Sequence, residues 1–285
     1  MNYENCTLCP RMCGVDRTKG QRGYCKGPDR AVVSKWMIHH WEEPALAGSG
    51  GSGAIFFGGC TLGCQYCQNA AISRRPCGEE MDGQQLRKVM QQLIFQGAEN
   101  IDLVTPSHYL PTILQALETP VNVPVVYNCG GYEREETLEQ LRDKVDIFLP
   151  DLKYGPNDLG KTLSGAKDYF AVATRAILKM AQLVGDITYA GEKLIKGVVI
   201  RHLILPGQVE NSLQVLDWIG EHFAPGQVLV SLMAQYTPMP GMRAPYDRKI
   251  TQQEYDSVLS WMYLNGLEGF TQSPEAADQI YIPNF

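Results

Sequence analysis

Three cysteines on one glycine-rich turn constrain this chain more than any other feature of its sequence. Cys60, Cys64 and Cys67 are spaced x3 and x2, directly after the apolar run 54–57. Three thiolates so close together can ligate three irons of a [4Fe–4S] cube and leave the fourth iron without a protein ligand, whereas an ordinary electron-carrying cube is closed by four thiolates. An open iron can bind a substrate or a cofactor. The turn therefore indicates an iron–sulfur loop.

Two other interpretations of these cysteines exist. They are a tetrahedral zinc site completed by a distant ligand, or buried thiols that bind no metal. Zinc hairpins usually pair x2–x4 spacings in twos, and this turn carries a single triplet. The iron–sulfur interpretation is therefore favoured.

The bulk composition predicts a globular protein outside the membrane. The 285 residues are 44% hydrophobic and 20% charged, which suits one large α/β domain with a small appendage. No apolar run approaches the ~20 residues that a membrane span needs, and the first residues lack the pattern of a secretion signal. We therefore expect a cytoplasmic protein. The net charge of −6 gives no sign of nucleic-acid binding, which needs clustered basic residues.

A second group of cysteines lies near the amino terminus. Four of the nine cysteines, Cys6, Cys9, Cys13 and Cys25, lie within residues 1–30, a segment with few residues that could form an apolar core. A bound metal can replace such a core. The segment therefore predicts a metal-binding minidomain, with zinc or an auxiliary [4Fe–4S] cluster as the metal and unligated thiols as the remaining alternative.

The rest of the chain alternates short β-type runs with segments of helical period, which is typical of parallel βα units. Residues 31–53 are expected to connect the minidomain to a barrel that spans 54–285 with a C-terminal extension. The predicted strands are 54–57, 101–105, 123–127, 145–149, 197–205, 228–233 and 268–271. These strands predict a partial (β/α)6-type barrel.

Helices are predicted between these strands. The apolar stripe of residues 86–94 marks one helix that ends near Gly97, and a capping box at Thr251 and Glu254 begins another. The other predicted helices are 134–143, 167–184 and 211–223.

Polar or glycine-rich residues follow successive strands. Because the carboxyl ends of barrel strands converge on one mouth, we expect these residues to meet there with the cysteine turn. They are the segments 106–109, 128–132, 151–154, 201–207 and 235–238.

The cysteine turn, with Tyr66 just before its last cysteine, resembles the signature of the radical S-adenosylmethionine (SAM) superfamily. Over nearly the whole chain the resemblance extends to proteins related to pyruvate formate-lyase activating enzymes, in a group with an extra N-terminal cysteine block and a run like His40–Pro44 here. The supporting motifs are 60–69, Asp151-Leu-Lys, the strand with Arg201 and His202, and 235–238.

The resemblance implies a [4Fe–4S] cluster on Cys60, Cys64 and Cys67. One of its irons would chelate SAM, and an electron from the cluster would split SAM to a 5′-deoxyadenosyl radical that abstracts hydrogen. It also implies an electron donor such as flavodoxin or ferredoxin.

The resemblance further assigns cofactor contacts to particular residues. Near the cluster, Tyr66 and Asn69 would help to seat SAM. Across the mouth, Asp151, Lys153 and His202 would contact its polar groups or a monovalent cation. An ordinary strand-end ion pair at Asp151 and Lys153 is the alternative.

The histidine on the fifth predicted strand also has an alternative reading. A hydrogen-bonded core position would suit His202 as well. Its neighbour Arg201 should face the other way, since adjacent strand residues do.

This chain departs from the activating enzymes after the second strand. Those enzymes carry a Gly-Gly-Glu-type motif there, whereas this chain has Thr105-Pro-Ser-His-Tyr109, in which Ser107 or His108 would be the polar partner. After the third strand it has Asn128 and Cys129, the latter read as an ordinary buried residue or, less favoured, a functional thiol.

The resemblance favours an activase that makes a glycyl radical on a partner enzyme. If the chain is an enzyme but not an activase, the alternative is hydrogen abstraction from another peptide, an RNA nucleotide or a metabolite. If the chain is not an enzyme, the alternative is a non-catalytic iron–sulfur carrier or electron-transfer protein.

Overall fold

The computed structural model of the protein describes residues 2–272. The strands are β1 Ala31–His39, β2 Ser52–Phe57, β3 Glu79–Met81, β4 Asn100–Val104, β5 Val125–Cys129, β6 Ile147–Pro150, β7 Thr188–Ala190, β8 Lys193–Leu203, β9 Leu229–Met233 and β10 Gly269–Thr271. The helices are α1 Pro44–Ala47, α2 Ala70–Ser73, α3 Gly83–Phe95, α4 Leu110–Ala116, α5 Glu135–Glu139, α6 Leu159–Ser164, α7 Tyr169–Val184, α8 Val209–His222 and α9 Gln252–Leu264. Among these residues, no helix is both long and apolar enough to cross a bilayer.

The strands form one curved, mostly parallel sheet. Its order is β10-β9-β8-β6-β5-β4-β2-β1-β3, with β7 pairing on β8. From β2 to β10 every neighbouring pair in this order is parallel, whereas β1 is antiparallel to both β2 and β3. Within residues 2–272 the two end strands, β3 and β10, do not pair with each other. The predicted α/β fold with a partial barrel is confirmed.

The parallel strands form because their sequences are apolar on both faces. All residues of β2, β5, β6 and β9 are buried, as expected where helices cover one face and the barrel interior the other. The helix α3 presents its apolar stripe, including Leu86, Met90 and Leu93, to this core. Each βα unit thus returns the chain to the same end of the sheet.

Both capping boxes lie at the start of long helices. The predicted box is confirmed on α9, where the Thr251 side chain accepts a hydrogen bond from the Glu254 amide and the Glu254 side chain accepts one from the Thr251 amide. The box of Asp82 and Gln85 begins α3 in the same way. These reciprocal bonds satisfy backbone donors that the first helical turn leaves free.

One predicted helix is shorter than expected. The segment 134–143 forms only α5, and the chain then turns through residues that include Asp143 at φ 60°. A left-handed residue of this kind cannot continue a right-handed helix.

The segment 31–53 carries more structure than a connection. It contains β1 and α1, and β1 extends the sheet beside β2. The glycine run leads tightly into β2, since a Cβ on Gly50 would lie 2.4 Å from the Gly97 carbonyl oxygen. The predicted C-terminal extension, residues 273–285, lies outside the described residues.

The N-terminal cysteine block packs against the barrel. Leu8 is 1% exposed and belongs to the same apolar cluster as the barrel core. The buried Arg17 donates to the carbonyl oxygen of His108 at 2.6 Å, and Thr137 Oγ1 donates to that of Leu8. The independent minidomain of residues 1–30 stays a prediction.

Candidate cofactor site at the carboxyl ends of the strands

A cavity of about 250 Å³ lies at the carboxyl ends of the parallel strands. Its walls come from the cysteine turn after β2 and from the ends of β4, β5, β6, β8 and β9. The predicted site residues that line it are Cys60, Cys64, Tyr66, Cys67, Asn69, Ser107, Asn128, Asp151 and Lys153. The topology therefore brings together residues that lie far apart in the sequence.

The cysteine turn is held in a conformation that needs glycine. Gly59 has φ +89°, and a Cβ there would lie 2.5 Å from the carbonyl oxygen of Cys25. Gly63 has φ +69°, with the Tyr24 hydroxyl 3.2 Å from its ideal Cβ. The N-terminal block therefore contacts the backbone of the turn directly.

Hydrogen-bond donors approach the sulfur atoms of the turn. The Leu62 amide donates to Cys60 Sγ at 3.3 Å, and Ser164 Oγ donates to Cys64 Sγ at 3.0 Å. Burial, and then the neighbouring Cys64, raise the pKa of the Cys60 thiol to about 12. Burial also raises the pKa of Cys67, and the proximity of Cys64 adds to it.

These three cysteines fit a three-thiolate cluster. They line one cavity, and hydrogen-bond donors to Cys60 and Cys64 can stabilise the negative charge of thiolate sulfur. Among residues 2–272 there is no group of three His, Cys, Asp or Glu side chains close enough to hold a single metal ion. A cluster spreads its thiolates over several irons and does not need that convergence.

Tyr66 anchors the turn through its hydroxyl. The hydroxyl donates to Tyr154 Oη at 2.8 Å, and Tyr154 Oη is 2.7 Å from Ser164 Oγ. The Ser164 hydroxyl also reaches Cys64. Tyr66 thus lines the cavity with its ring and ties the turn to α6 with its polar end.

A charged network forms the wall opposite the turn. Lys153 Nζ is 2.5 Å from Asp151 Oδ2, and Arg201 Nε donates to Asp151 Oδ1 at 2.9 Å. Arg201 Nη2 also donates to Asn128 Oδ1 at 2.6 Å. Burial on its own would raise the pKa of Asp151, but the charges of Arg201 and Lys153 outweigh it and hold that pKa below its ordinary value.

The two predicted histidines do not line this cavity. His202 Nδ1 is 2.7 Å from the Leu152 carbonyl oxygen and Nε2 is 2.9 Å from Ser212 Oγ, and burial lowers its pKa to about 4. His108 Nε2 is 2.8 Å from the Gly58 carbonyl oxygen, and burial lowers its pKa to about 3. His202 was expected to contact the cofactor from β8. The structure corrects this, because Arg201 faces the cavity and His202 faces the helices.

Sequence reasoning missed several polar residues at the cavity. His39 at the end of β1 and Glu42 just after it line the cavity, and Glu133 lies behind Ser107. Glu133 accepts hydrogen bonds from Ser107 Oγ and, at 3.4 Å, from Tyr127 Oη, and burial raises its pKa to about 7. The run His40–Pro44 contains Glu42 and could have identified it as a site residue, but the sequence alone assigned no function to that run.

The N-terminal cysteines lie outside the cavity lining. Cys6, Cys9 and Cys25 are buried and Cys13 is exposed. Burial raises the pKa of Cys25, and the nearby Cys6 and Cys13 raise it further. Cys6 and Cys13 thus lie near Cys25, and the second metal stays a prediction.

Comparison with known proteins identifies related sequences. The sequence model of the radical SAM superfamily matches residues 54–219, more than half of the chain. An uncharacterized protein of Methanocaldococcus jannaschii is 29% identical over 269 residues, which cover 90% of this chain and 74% of that protein. The pyruvate formate-lyase-activating enzyme of Clostridium pasteurianum is 25% identical over 184 residues, covering 59% of this chain and 68% of the enzyme.

Solved structures share the fold. A radical SAM methyltransferase from Sphaerobacter thermophilus superposes with a TM-score of 0.54 at 13% identity, covering 78% of this chain and 66% of the other. Streptococcus suis SuiB bound to S-adenosylmethionine gives a TM-score of 0.50 at 15% identity, covering 75% of this chain. This chain spans 48% of the SuiB chain.

Proposed function

The chain belongs to the radical SAM superfamily, and on that premise we propose that it is an enzyme that uses SAM for hydrogen abstraction. The family implies a [4Fe–4S] cluster and SAM as cofactors. In our proposal Cys60, Cys64 and Cys67 ligate the cluster, and SAM occupies the cavity beside them. When bound and reduced, the cluster supplies the electron that cleaves SAM to a 5′-deoxyadenosyl radical.

The observation that carries this proposal is that the charged network of Asp151, Lys153 and Arg201 lines the same cavity as the three cysteines. SAM has an amino group, a carboxylate and a sulfonium, and each needs a polar partner inside a closed site. Lys153 and Arg201 are suited to the carboxylate, and Asp151 holds both cations in place. Ser107 and Asn69, also on the cavity, can supply further hydrogen bonds.

The finer proposal is a glycyl-radical activase. It is supported by the similarity to a pyruvate formate-lyase-activating enzyme over 184 residues, and by the order of shared motifs along the chain. Its partner would be a glycyl radical enzyme, and its electrons would come from a donor such as flavodoxin or ferredoxin. The missing Gly-Gly-Glu motif sets this chain apart from such activases, since Ser107 stands in that region and is bonded to Glu133.

Cluster-dependent cleavage is the first test. Replacing Cys60, Cys64 or Cys67 by alanine should abolish formation of 5′-deoxyadenosine after anaerobic reconstitution and reduction, because each change removes a ligand of the cluster. The product is measured by chromatography and mass spectrometry, and the brown absorbance is followed in parallel. Cys77→Ala is the matched control, since Cys77 is exposed and away from the cavity. Cleavage retained in any of the three variants would refute the assignment.

The role of the charged network in SAM binding is tested by comparing substitutions at two aspartates, Asp151 and Asp146. Asp151→Ala should weaken SAM binding by about tenfold or more, because a charge-assisted contact is worth about 1.5–3 kcal/mol and Lys153 and Arg201 lose their anchor. Asp146→Ala is the control, since Asp146 caps the opposite end of β6 by accepting from the Val125 amide at 2.8 Å. Equilibrium titrations of the folded, cluster-loaded variants decide it. Equal affinities would mean that the methionyl end is held elsewhere.

The activase itself needs a separate experiment. The reconstituted protein is incubated with SAM, a reductant and a glycyl radical enzyme, and the mixture is examined by electron paramagnetic resonance. A doublet from a glycyl radical that needs SAM and Cys60 supports the activase. 5′-Deoxyadenosine without that signal assigns the hydrogen abstraction to another peptide, an RNA nucleotide or a metabolite, and absence of both supports a carrier.

A further inference from the structure

A second cavity of about 280 Å³ adjoins the first. The two share part of their lining, so they form neighbouring compartments of one space. The shared residues are His39, Glu42, Arg201, Met233 and Gln235. Glu43 and Trp41 line the second cavity but not the first. We call the second compartment the side cavity.

Three carboxyl groups meet beside the side cavity. Glu42 lies beside both Glu43 and Asp102. Glu43 is 8% exposed and Asp102 is 1% exposed. Burial, together with the proximity of Asp102 and Glu43, raises the pKa of Glu42 well above its ordinary value. A carboxyl with a raised pKa is protonated at neutral pH unless a cation binds beside it and favours the ionised form.

The nearby cations pair more closely with Asp151 than with this group. The guanidinium of Arg201 is 2.9 Å from Asp151 through Nε, whereas its Nη1 is 4.0 Å from Glu42. Lys153 is likewise paired with Asp151. The two cations are therefore engaged mainly by a different carboxylate.

Two carboxylate oxygens in this group have no partner. Glu43 Oε2 and Asp102 Oδ1 are buried and accept no hydrogen bond from any described residue. A buried polar atom without a partner is costly and in native proteins calls for an explanation such as a bound group. A cationic ligand that donates hydrogen bonds would satisfy the oxygens and would favour the ionised form of Glu42.

The remaining lining suits an organic cation. Trp41, whose side chain is 63% exposed, and the thioether of Met233 give the side cavity an aromatic and an apolar surface. Aromatic faces attract alkylammonium groups, and thioethers pack against their methylene groups. The volume is below the roughly 300 Å³ at which pockets for drug-sized ligands begin, so it fits a side-chain-sized group.

We propose that the side cavity binds a protonated primary amine of the substrate, with Glu42 and Glu43 as its counter-charges and Asp102 supporting Glu42. The inference rests on the proposed function, because it names the substrate class that would be presented to the SAM cavity. It also gives a role to the His40–Pro44 run, which cofactor binding leaves unexplained.

The test compares a charged probe with a neutral one. N-acetyl-lysine methylamide and its uncharged counterpart N-acetyl-norleucine methylamide are titrated into the cluster-loaded protein with SAM bound, under anaerobic conditions. The lysine probe should bind at least tenfold more tightly than the norleucine probe. Glu43→Gln should abolish this preference, whereas Glu80→Gln, on the exposed edge strand β3, should keep it. Equal affinity of the wild-type protein for both probes overturns the proposal.

Two further measurements separate the inference from the proposed function. SAM affinity and the slow formation of 5′-deoxyadenosine without substrate should be unchanged in Glu43→Gln, since Glu43 does not line the SAM cavity. Weaker SAM binding in this variant would assign the carboxylates to the cofactor and overturn the inference. Displacement of the lysine probe by K⁺ or Mg²⁺ at equal concentration would likewise overturn it in favour of a metal ion. If the protein prefers the lysine probe but never cleaves SAM, the inference about amine binding is supported and the proposed SAM-cleaving activity is refuted.

Discussion

Arg201 and His202 are adjacent in β8 and have opposite environments. Arg201 extends into the cavity and bridges Asn128 and Asp151. His202 is fully buried on the other face, where it bonds the Leu152 carbonyl oxygen and Ser212 of α8. Its burial favours the neutral ring, so its protonation is linked to folding.

This linkage predicts a pH effect on stability. The pKa of His202 is lowered to about 4, so the folded chain binds fewer protons there than the unfolded chain, whose histidine titrates near 6.5. The stabilisation is therefore present above pH 6.5 and is lost as the pH falls toward 4. Between pH 7 and pH 5 the loss should be about 2 kcal/mol.

The difference between the wild type and His202→Gln in denaturant unfolding of the metal-free protein at both pH values measures this loss, because His108 and Glu133, whose pKa values are also shifted, contribute equally to the two proteins. His202→Gln should be less stable at pH 7 and should show a smaller decrease on acidification than the wild type. His40→Gln, at an exposed position, should keep the wild-type decrease. An unchanged decrease in His202→Gln would show that the ring is not the titrating group.

The sequence predicted that Arg201 and His202 face opposite sides of β8, but it did not predict which of the two faces the cavity. Any strand places Arg201 and His202 on opposite faces. Which of them meets the cavity depends on the register of β8 against β6 and β9, where Arg201 lies beside Ser231 and bridges to Asp151. Register is set by contacts between distant segments, which a local pattern does not contain.

At the scale of elements, the N-terminal block is attached to the cysteine turn through Arg11. Its guanidinium donates to the carbonyl oxygens of Thr61 at 2.9 Å and Gly165 at 2.6 Å, and it stacks 3.9 Å from the ring centre of Tyr24. One side chain thus joins the block, the turn and the end of α6.

Loss of the Arg11 side chain should weaken the attachment of the N-terminal block to the cysteine turn and to the end of α6. Arg11→Met should lower the melting temperature by about 4–8 °C, because at least two hydrogen bonds are lost that, being partly exposed, are worth about 1 kcal/mol each, and each kcal/mol shifts the transition by about 2–4 °C. It should also speed loss of cluster absorbance in air. Arg22→Met is the control, since Arg22 is exposed and makes only a local contact with Gln21. Matching melting curves for both variants would contradict this prediction.

Elements with a strong local signal were predictable. The stripe and capping signals of α3 and α9 lie within the helices themselves, and both helices form there. By contrast, β1 lies in the segment 31–53, which was expected only to connect. Much of β1 is only half-buried, so it lacks the apolar run that marks an interior strand.

At the scale of the whole molecule, parallel topology decided where the site would be. Because every βα unit returns to the same end, residues after β2, β4, β5, β6, β8 and β9 had to meet. The side cavity was not predictable in this way. It depends on β1, which is antiparallel to β2 and ends beside the amino end of that strand, where His39 pairs with Ser52, so that Glu42 and Glu43 reach the side cavity from outside the βα series.

The molecule is also expected to carry two separate metal sites. Elemental analysis of anaerobically purified protein should find a metal at the N-terminal cysteines besides the cluster iron. Cys9→Ser combined with Cys13→Ser should remove that metal and leave the barrel cluster, because those thiols do not line the cavity. Cys77→Ser serves as the control. If all four N-terminal thiols are found free of metal in the purified wild type, the second site does not exist.

The contact at Gly59 limits how this sequence can change. The Cys25 carbonyl oxygen lies where a side chain at position 59 would begin, and the backbone there already has φ +89°. A larger residue must therefore move one cysteine segment away from the other. A chain that lost the first segment would leave the backbone of the second open to water and oxygen. The two segments should consequently be inherited together, and homologues that lack one should have rebuilt the other.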